Sequence, residues 1–202
     1  MELLRARLGE LRREGHLDYN SIESIRTEFG HSIELVERWS EPGQGDFNCV
    51  MYALGLRGDP LLEALADVND CDIYRATPGR NNNEEILADT EFLEFCIAEG
   101  AMPPISKSNI CPGDLLLYVN EGKCEHIGKF IDYDRLRSKW GPNDLLEHGP
   151  REVPDCYGNN LRRAAGISHE QSWDLFVEYA WSVVDDDPRV KERLSHIVDK
   201  YR

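Results

Sequence analysis

GDLLLYVNEGKCEHIGKFIDYDRLRSKWGPNDLLEH, residues 113–148, is the stretch whose reading decides the fold. Apolar runs of strand length recur here, punctuated by Gly, Asp and Pro. The segments CPGDLLLYVNEG, EHIGKFIDYD, RLRSKWGP and LLEHGPREVP predict four short strands. Connections this short suit antiparallel neighbours, so the expected arrangement is a meander.

Outward from this stretch the periodicity turns helical. Leu3, Leu4, Leu8 and Leu11 share one face of an amphipathic helix over residues 2–14. HSIELVERW, residues 31–39, is compatible with a strand or a helical turn. Ser40–Asp46, SEPGQGD, has the composition of a turn, and a helix is expected from about Asn48 to Leu56. Asn48 is its candidate N-cap, and Gly55 or Gly58 its stop. Further helices are expected over Pro60–Val68 and through DTEFLEFCIAEGA, separated by a polar surface loop, Thr77–Glu85. Beyond the strands, SHEQSWDLFVEYAWSVV carries Trp173, Phe176, Val177 and Ala180 at helical intervals, and KERLSHIVDKYR forms a last short helix. The expectation is one α+β domain over 1–202: an N-terminal helical extension to residue 40, a core over 41–160, and C-terminal helices over 161–202.

With 41% hydrophobic residues, four Trp and eight Tyr, the chain has enough apolar surface to build a core. A net charge of -15 disfavours nucleic acid, whose affinity comes from clustered Lys and Arg, and disfavours anionic membranes. No run of about 20 apolar residues is present, and the charged start MELLRARLGELRREG has no signal-peptide pattern, so a cytoplasmic location is expected. The six cysteines are scattered without a C-x-x-C pair, which argues against zinc and against a disulfide framework. Neither a metal nor a cofactor is expected.

Cys49 stands out because it opens an apolar helix directly behind a turn. A thiol attacks a carbonyl as its thiolate, which is favoured by the positive end of a helix and by an imidazole that takes the proton. His126, opening the second strand, is the candidate base. Cys71, Cys96, Cys111, Cys124 and Cys156 read as inert packing. His16, His31, His169 and His196 sit in charged surroundings and read as solvent-facing, while Trp140 and Tyr52 read as core or cleft wall.

Phe47-Asn48-Cys49, then Gly113-Asp114-Leu115-Leu116-Leu117-Tyr118, then His126-Ile127-Gly128-Lys129-Phe130 follow in an order and approximate spacing that resemble the papain-like cysteine peptidases and amidases. The likeness is to the compact bacterial branch with the NlpC and CHAP types, and it covers roughly residues 41–158. Ser138-Lys139-Trp140-Gly141, LEHGP, and Tyr157-Gly158 look like a further bacterial branch of that superfamily. The resemblance implies a papain-like core in which a nucleophile helix packs on a small antiparallel sheet. It implies Cys49 as nucleophile, His126 as base, and an acyl-enzyme formed on a peptide or amide bond, with a peptide or amide-containing substrate, proteins included, as the partner.

The residue that orients the base is where the chain departs from the pattern. The corresponding position falls near Ser138, which accepts a hydrogen bond but lends little electrostatic support; His148, Asn143 and Asp144 are the alternatives. For the oxyanion, the Cys49 N–H is joined by Gln44, with Asn48 as its competitor. Two other readings stand beside the hydrolase: an acyltransferase or transglutaminase-like enzyme on the same pair, and a binding or immunity module of the same fold with weak catalysis.

Overall fold

A computed structural model of the chain describes residues 1–38, 47–66, 87–140, 144–184 and 188–201. The expected meander is β2 (Leu115–Asn120), β3 (Lys123–Asp132), β4 (Arg135–Lys139) and β5 (Leu145–His148), each antiparallel to the next. Two strands extend it into a six-stranded sheet of order β1-β5-β4-β3-β2-β6. The ambiguous stretch after His31 supplies β1 (Glu34–Glu37), which pairs with β5. β6 (Asn160–Ala164) pairs with β2; in NLRRA only Leu161 and Ala164 are apolar, too few to signal a strand.

Strand alternation divides the apolar residues between two cores, one on each side of the sheet. Leu116, Tyr118, Phe130, Leu136 and Leu146 share a core with α1 (Glu2–Arg13) and α2 (Tyr19–Ser24) through Leu4, Leu8, Leu11 and Ile22. A short α3 (Arg26–Phe29) leads from there into β1. Leu115, Leu117, Val119 and Ile127 form the second core. It is closed by α4 (Cys49–Ala53), α5 (Pro60–Ala66), α6 (Thr90–Ala98), α7 (His169–Val183) and α8 (Pro188–Tyr201). The chain is thus mixed α+β, with helices on both faces of one antiparallel sheet. Among the described residues no helix is long and apolar enough to cross a membrane.

Several expectations are sharpened or corrected. In α1 the buried stripe is Leu4, Leu8 and Leu11, whereas Leu3 points to solvent at 77% exposure. Residues 1–38 are therefore part of the core, supplying a sheet strand and one wall. The expected boundary at residue 160 falls inside β6. Helix α7 begins with a reciprocal cap between Ser168 and Gln171, and α8 begins at Pro188, whose missing N–H costs nothing in a first turn. The Thr77–Glu85 loop lies outside the described residues.

A 3-10 turn, Asp155–Tyr157, leads into β6 and packs against α1 and β2. It is held by Gly158, whose φ of 105° lies in the region that favours glycine and whose added Cβ would stand 2.5 Å from the Val119 carbonyl. Arg5 Nη2 donates to the Gly158 carbonyl at 2.7 Å, tying α1 to the same point. Gly158→Ala is expected to lower stability by about 2 kcal/mol or more, read as a fall in the urea midpoint at unchanged slope; an unchanged midpoint would show that the turn is not so constrained.

Candidate functional site

Asn48 begins the site. Its extended backbone leaves Oδ1 free to accept from both the Val50 and Met51 N–H groups at 2.9 Å, and Nδ2 donates to the Ala88 carbonyl at 2.9 Å. The carboxamide is therefore spent on capping α4 and joining it to the entry of α6. Before it, Phe47 is buried, with the Arg57 guanidinium 4.1 Å and the Lys139 ammonium 4.6 Å from its ring centre. These contacts fix the angle at which the chain enters the helix, and with it the position of Cys49.

Cys49 is half-buried at the first position of α4, against β3. The Phe130 N–H bonds back to Asp114, so from His126 to Phe130 the even-numbered residues of β3 turn their backbone toward β2 and the odd-numbered ones toward β4. Ile127 is odd and lies beyond the last pair with β4, which leaves its N–H free to reach Cys49 Sγ. Burial pushes the thiol up from its ordinary value, while the N–H groups of Ile127, Cys49 and Val50, and then Arg12, pull the other way.

His126 precedes Ile127 and so turns its ring to the opposite, α1 side of the sheet. It is 1% exposed and lies flat on Tyr157, ring centres 4.0 Å apart at 11°, with Tyr118 tilted at 5.5 Å. Arg12 covers Tyr157 at 4.6 Å, and the stacked imidazole leaves the guanidinium only the far face. Burial holds His126 well below its ordinary pKa, helped by His148 and Arg12. Burial thus favours a neutral thiol at Cys49 and a neutral imidazole at His126, whose side chains leave β3 on opposite sides. No hydrogen bond joins them, and His126 Nε2 is buried without a partner among the described residues.

Ser138 does not serve His126. The Trp140 indole donates to Ser138 Oγ at 3.0 Å, and Ser138 Oγ and His148 Nε2 are 2.7 Å apart. His148 Nδ1 lies 2.9 Å from the Gly149 carbonyl, which only accepts, so Nδ1 carries the proton and the Ser138 hydroxyl donates to Nε2. This chain, Trp140 to Ser138 to His148 to Gly149, is buried and internally satisfied. It makes Ser138 and His148 a structural pair, with His148 held down to about 4, chiefly by burial. Asp144 accepts from the Tyr19 N–H and belongs to the α2 contact. Gln44 and Asn143 lie outside the described residues.

The other candidates divide. His31 is buried rather than solvent-facing: the Ile33 N–H donates to Nδ1, so Nε2–H donates to the Ile22 carbonyl. His16, His169 and His196 are exposed. Cys96 and Cys124 are buried and both pushed up to about 12, mainly by burial, whereas Cys111 and Cys156 are exposed and do not pack as expected. Cys156 instead accepts from Arg12. Cys71 lies outside the described residues. Trp140 is core, and Tyr52 is half-buried. Among the described residues no group of three or more His, Cys, Asp or Glu is placed to hold a metal ion.

Sequence reasoning assigned no role to Tyr157 or Arg12. The only trace of Tyr157 was the Tyr-Gly pair, and nothing in the α1 pattern set Arg12 apart from its other arginines. Compared with protein-family models, curated proteins and solved structures, the chain matches none.

With its thiol held up and half-buried, Cys49 is expected to react with iodoacetamide at pH 7 more slowly than exposed Cys111, as peptide mapping of a time course would report. Faster alkylation of Cys49 would reveal a thiolate at rest. For His148, an unfolded value of about 6.5 against about 4 in the fold means the unfolded chain takes the proton first as pH falls. Its stabilising contribution is intact above about pH 6.5 and falls by about 3 kcal/mol on descending to pH 4. The stability gap between the protein and His148→Gln should narrow across that window in urea titrations, and a constant gap would contradict the assignment.

Proposed function

We propose that this chain is a thiol hydrolase, a cysteine peptidase or amidase with a papain-like core, in which His126 activates Cys49. The observation that carries this reading is the approach of a capped helix start to β3 at residues 49 and 127. The sulfur lies beside the Ile127 N–H, and the imidazole belongs to the preceding residue.

The neutral pair favours a stepwise use of the proton. Cys49 Sγ attacks the carbonyl carbon of a bound amide as its proton passes to His126. The oxyanion faces the N–H of Cys49, since Val50 and Met51 have given theirs to Asn48. His126 returns the proton to the departing amine, and the thioester is then opened by water. Tyr157 is the positioning residue. Its stacked ring fixes the imidazole plane where related enzymes use a hydrogen-bond acceptor, and Arg12 fixes Tyr157 in turn.

p-Nitrophenyl acetate tests this directly. Intact-mass and peptide analysis are expected to find acetyl on Cys49 that turns over, none in Cys49→Ala, and acylation about 100-fold slower in His126→Ala. Tyr157→Phe, which keeps the ring, should retain the rate and its pH profile, while Tyr157→Leu should lower the rate and shift the profile. Acylation of Cys49 at an unchanged rate in His126→Ala would sink the pair, and persistence of the acetyl until an added amine removes it would favour the acyltransferase reading.

A further inference from the structure

Although the chain carries a net charge of -15, cations gather along one surface groove. A cavity of about 920 Å3 opens on the α1 side of the sheet, with Phe130 and Leu161 on its floor and Lys107, Arg151 and Arg163 in its walls. None of these three cations has a side-chain partner among the described residues. Of the two acids in the lining, Glu152 is taken up by the Ser32 N–H and hydroxyl and by the Gly149 N–H, which leaves Asp134 as the one opposing charge.

The groove runs along a sheet edge that is only half covered. Ile105 and Ala165 bond to Arg163 and Pro103, so the segment after Met102 closes the C-terminal half of β6. The Arg163 carbonyl therefore points away from β2, and Leu161, two residues earlier, points its N–H and C=O the same way. No backbone partner for Leu161 exists on that side among the described residues. Such an open edge is a template for another strand.

A third observation comes from the adjoining cavity of about 620 Å3, which shares Arg151 and Asn159 with the groove and reaches Arg5. Arg5 is 3% exposed, yet its Nε and Nη1 have no partner. Buried donors are ordinarily satisfied, and the facing Asp155 carboxylate does not reach them within hydrogen-bond distance.

We propose that the β6 edge and its groove bind an extended acidic peptide by strand addition. The peptide backbone pairs with Leu161, alternate apolar side chains lie on Leu161 and Ile110, and carboxylates meet Lys107, Arg163 and Arg151, with Arg5 available to a terminal carboxylate. The site stands whether or not Cys49 is a nucleophile.

Fluorescence anisotropy with a labelled (Glu-Val)5 peptide, measured on Cys49→Ala so that no turnover intervenes, tests the proposal. Binding at least about 10-fold tighter than for (Gln-Val)5, weakening with salt, is expected. Lys107→Glu with Arg163→Glu should reduce it about 10-fold or more at unchanged melting temperature. Leu161→Pro, tolerated at an edge N–H, should weaken it more than Leu161→Ala. Equal binding of (Lys-Val)5, no loss in the charge-reversal variant, tighter binding of a short RNA, or no binding would each overturn the proposal.

Discussion

A β-strand sends successive side chains to opposite faces, and at His126 and Ile127 this alternation determines how the site is assembled. Ile127 packs under the helices that include α4, so Cys49 must approach β3 from that side. His126 is consigned to the other side, among Tyr118 and Tyr157. The sulfur reaches the Ile127 N–H only because α4 starts where β4 has stopped pairing with β3. A longer β4 would have claimed the Ile127 N–H and closed that gap.

Two of the buried histidines of this face, His148 and His126, show opposite solutions to burial. His148 is neutral with each nitrogen engaged, in a chain that also satisfies Ser138 and Trp140. Such a network rigidifies the core and leaves nothing for chemistry. His126 is neutral with Nε2 unengaged, and its orientation comes from ring stacking. Unsatisfied buried atoms also occur at Arg5, Asp155 and Tyr157, all where α1 meets the 3-10 turn behind His126. A buried polar atom without a partner costs local stability.

Local signals were legible where they were strong. The strand periods and their turns predicted β2 to β5, and Asn48 was recognisable as a cap from its place before an apolar helix. β1 and β6 were not legible, because an edge strand exposes half its residues and carries a weak pattern: Glu34 and Glu37 flank β1, and arginines fill β6. Ser138 was read as the partner of His126 from its position after the histidine strand. The register instead lays β4 beside β5, within reach of His148, and the indole of Trp140 completes the match.

From sequence alone came the α+β class, the central meander and the capped helix start at Cys49, each of which rests on residues near one another in the chain or on strand periodicity, while the candidate pairing of that cysteine with His126 rested on the order of blocks along the chain and the resemblance they carry. Only the tertiary structure decided that α1 is a wall of the core, that Tyr157 and Arg12 brace His126, and that Ser138 belongs to His148. These depend on contacts between segments distant in the chain, or on which of several buried polar groups finds a partner first. Such choices are made by packing geometry, which no local pattern encodes.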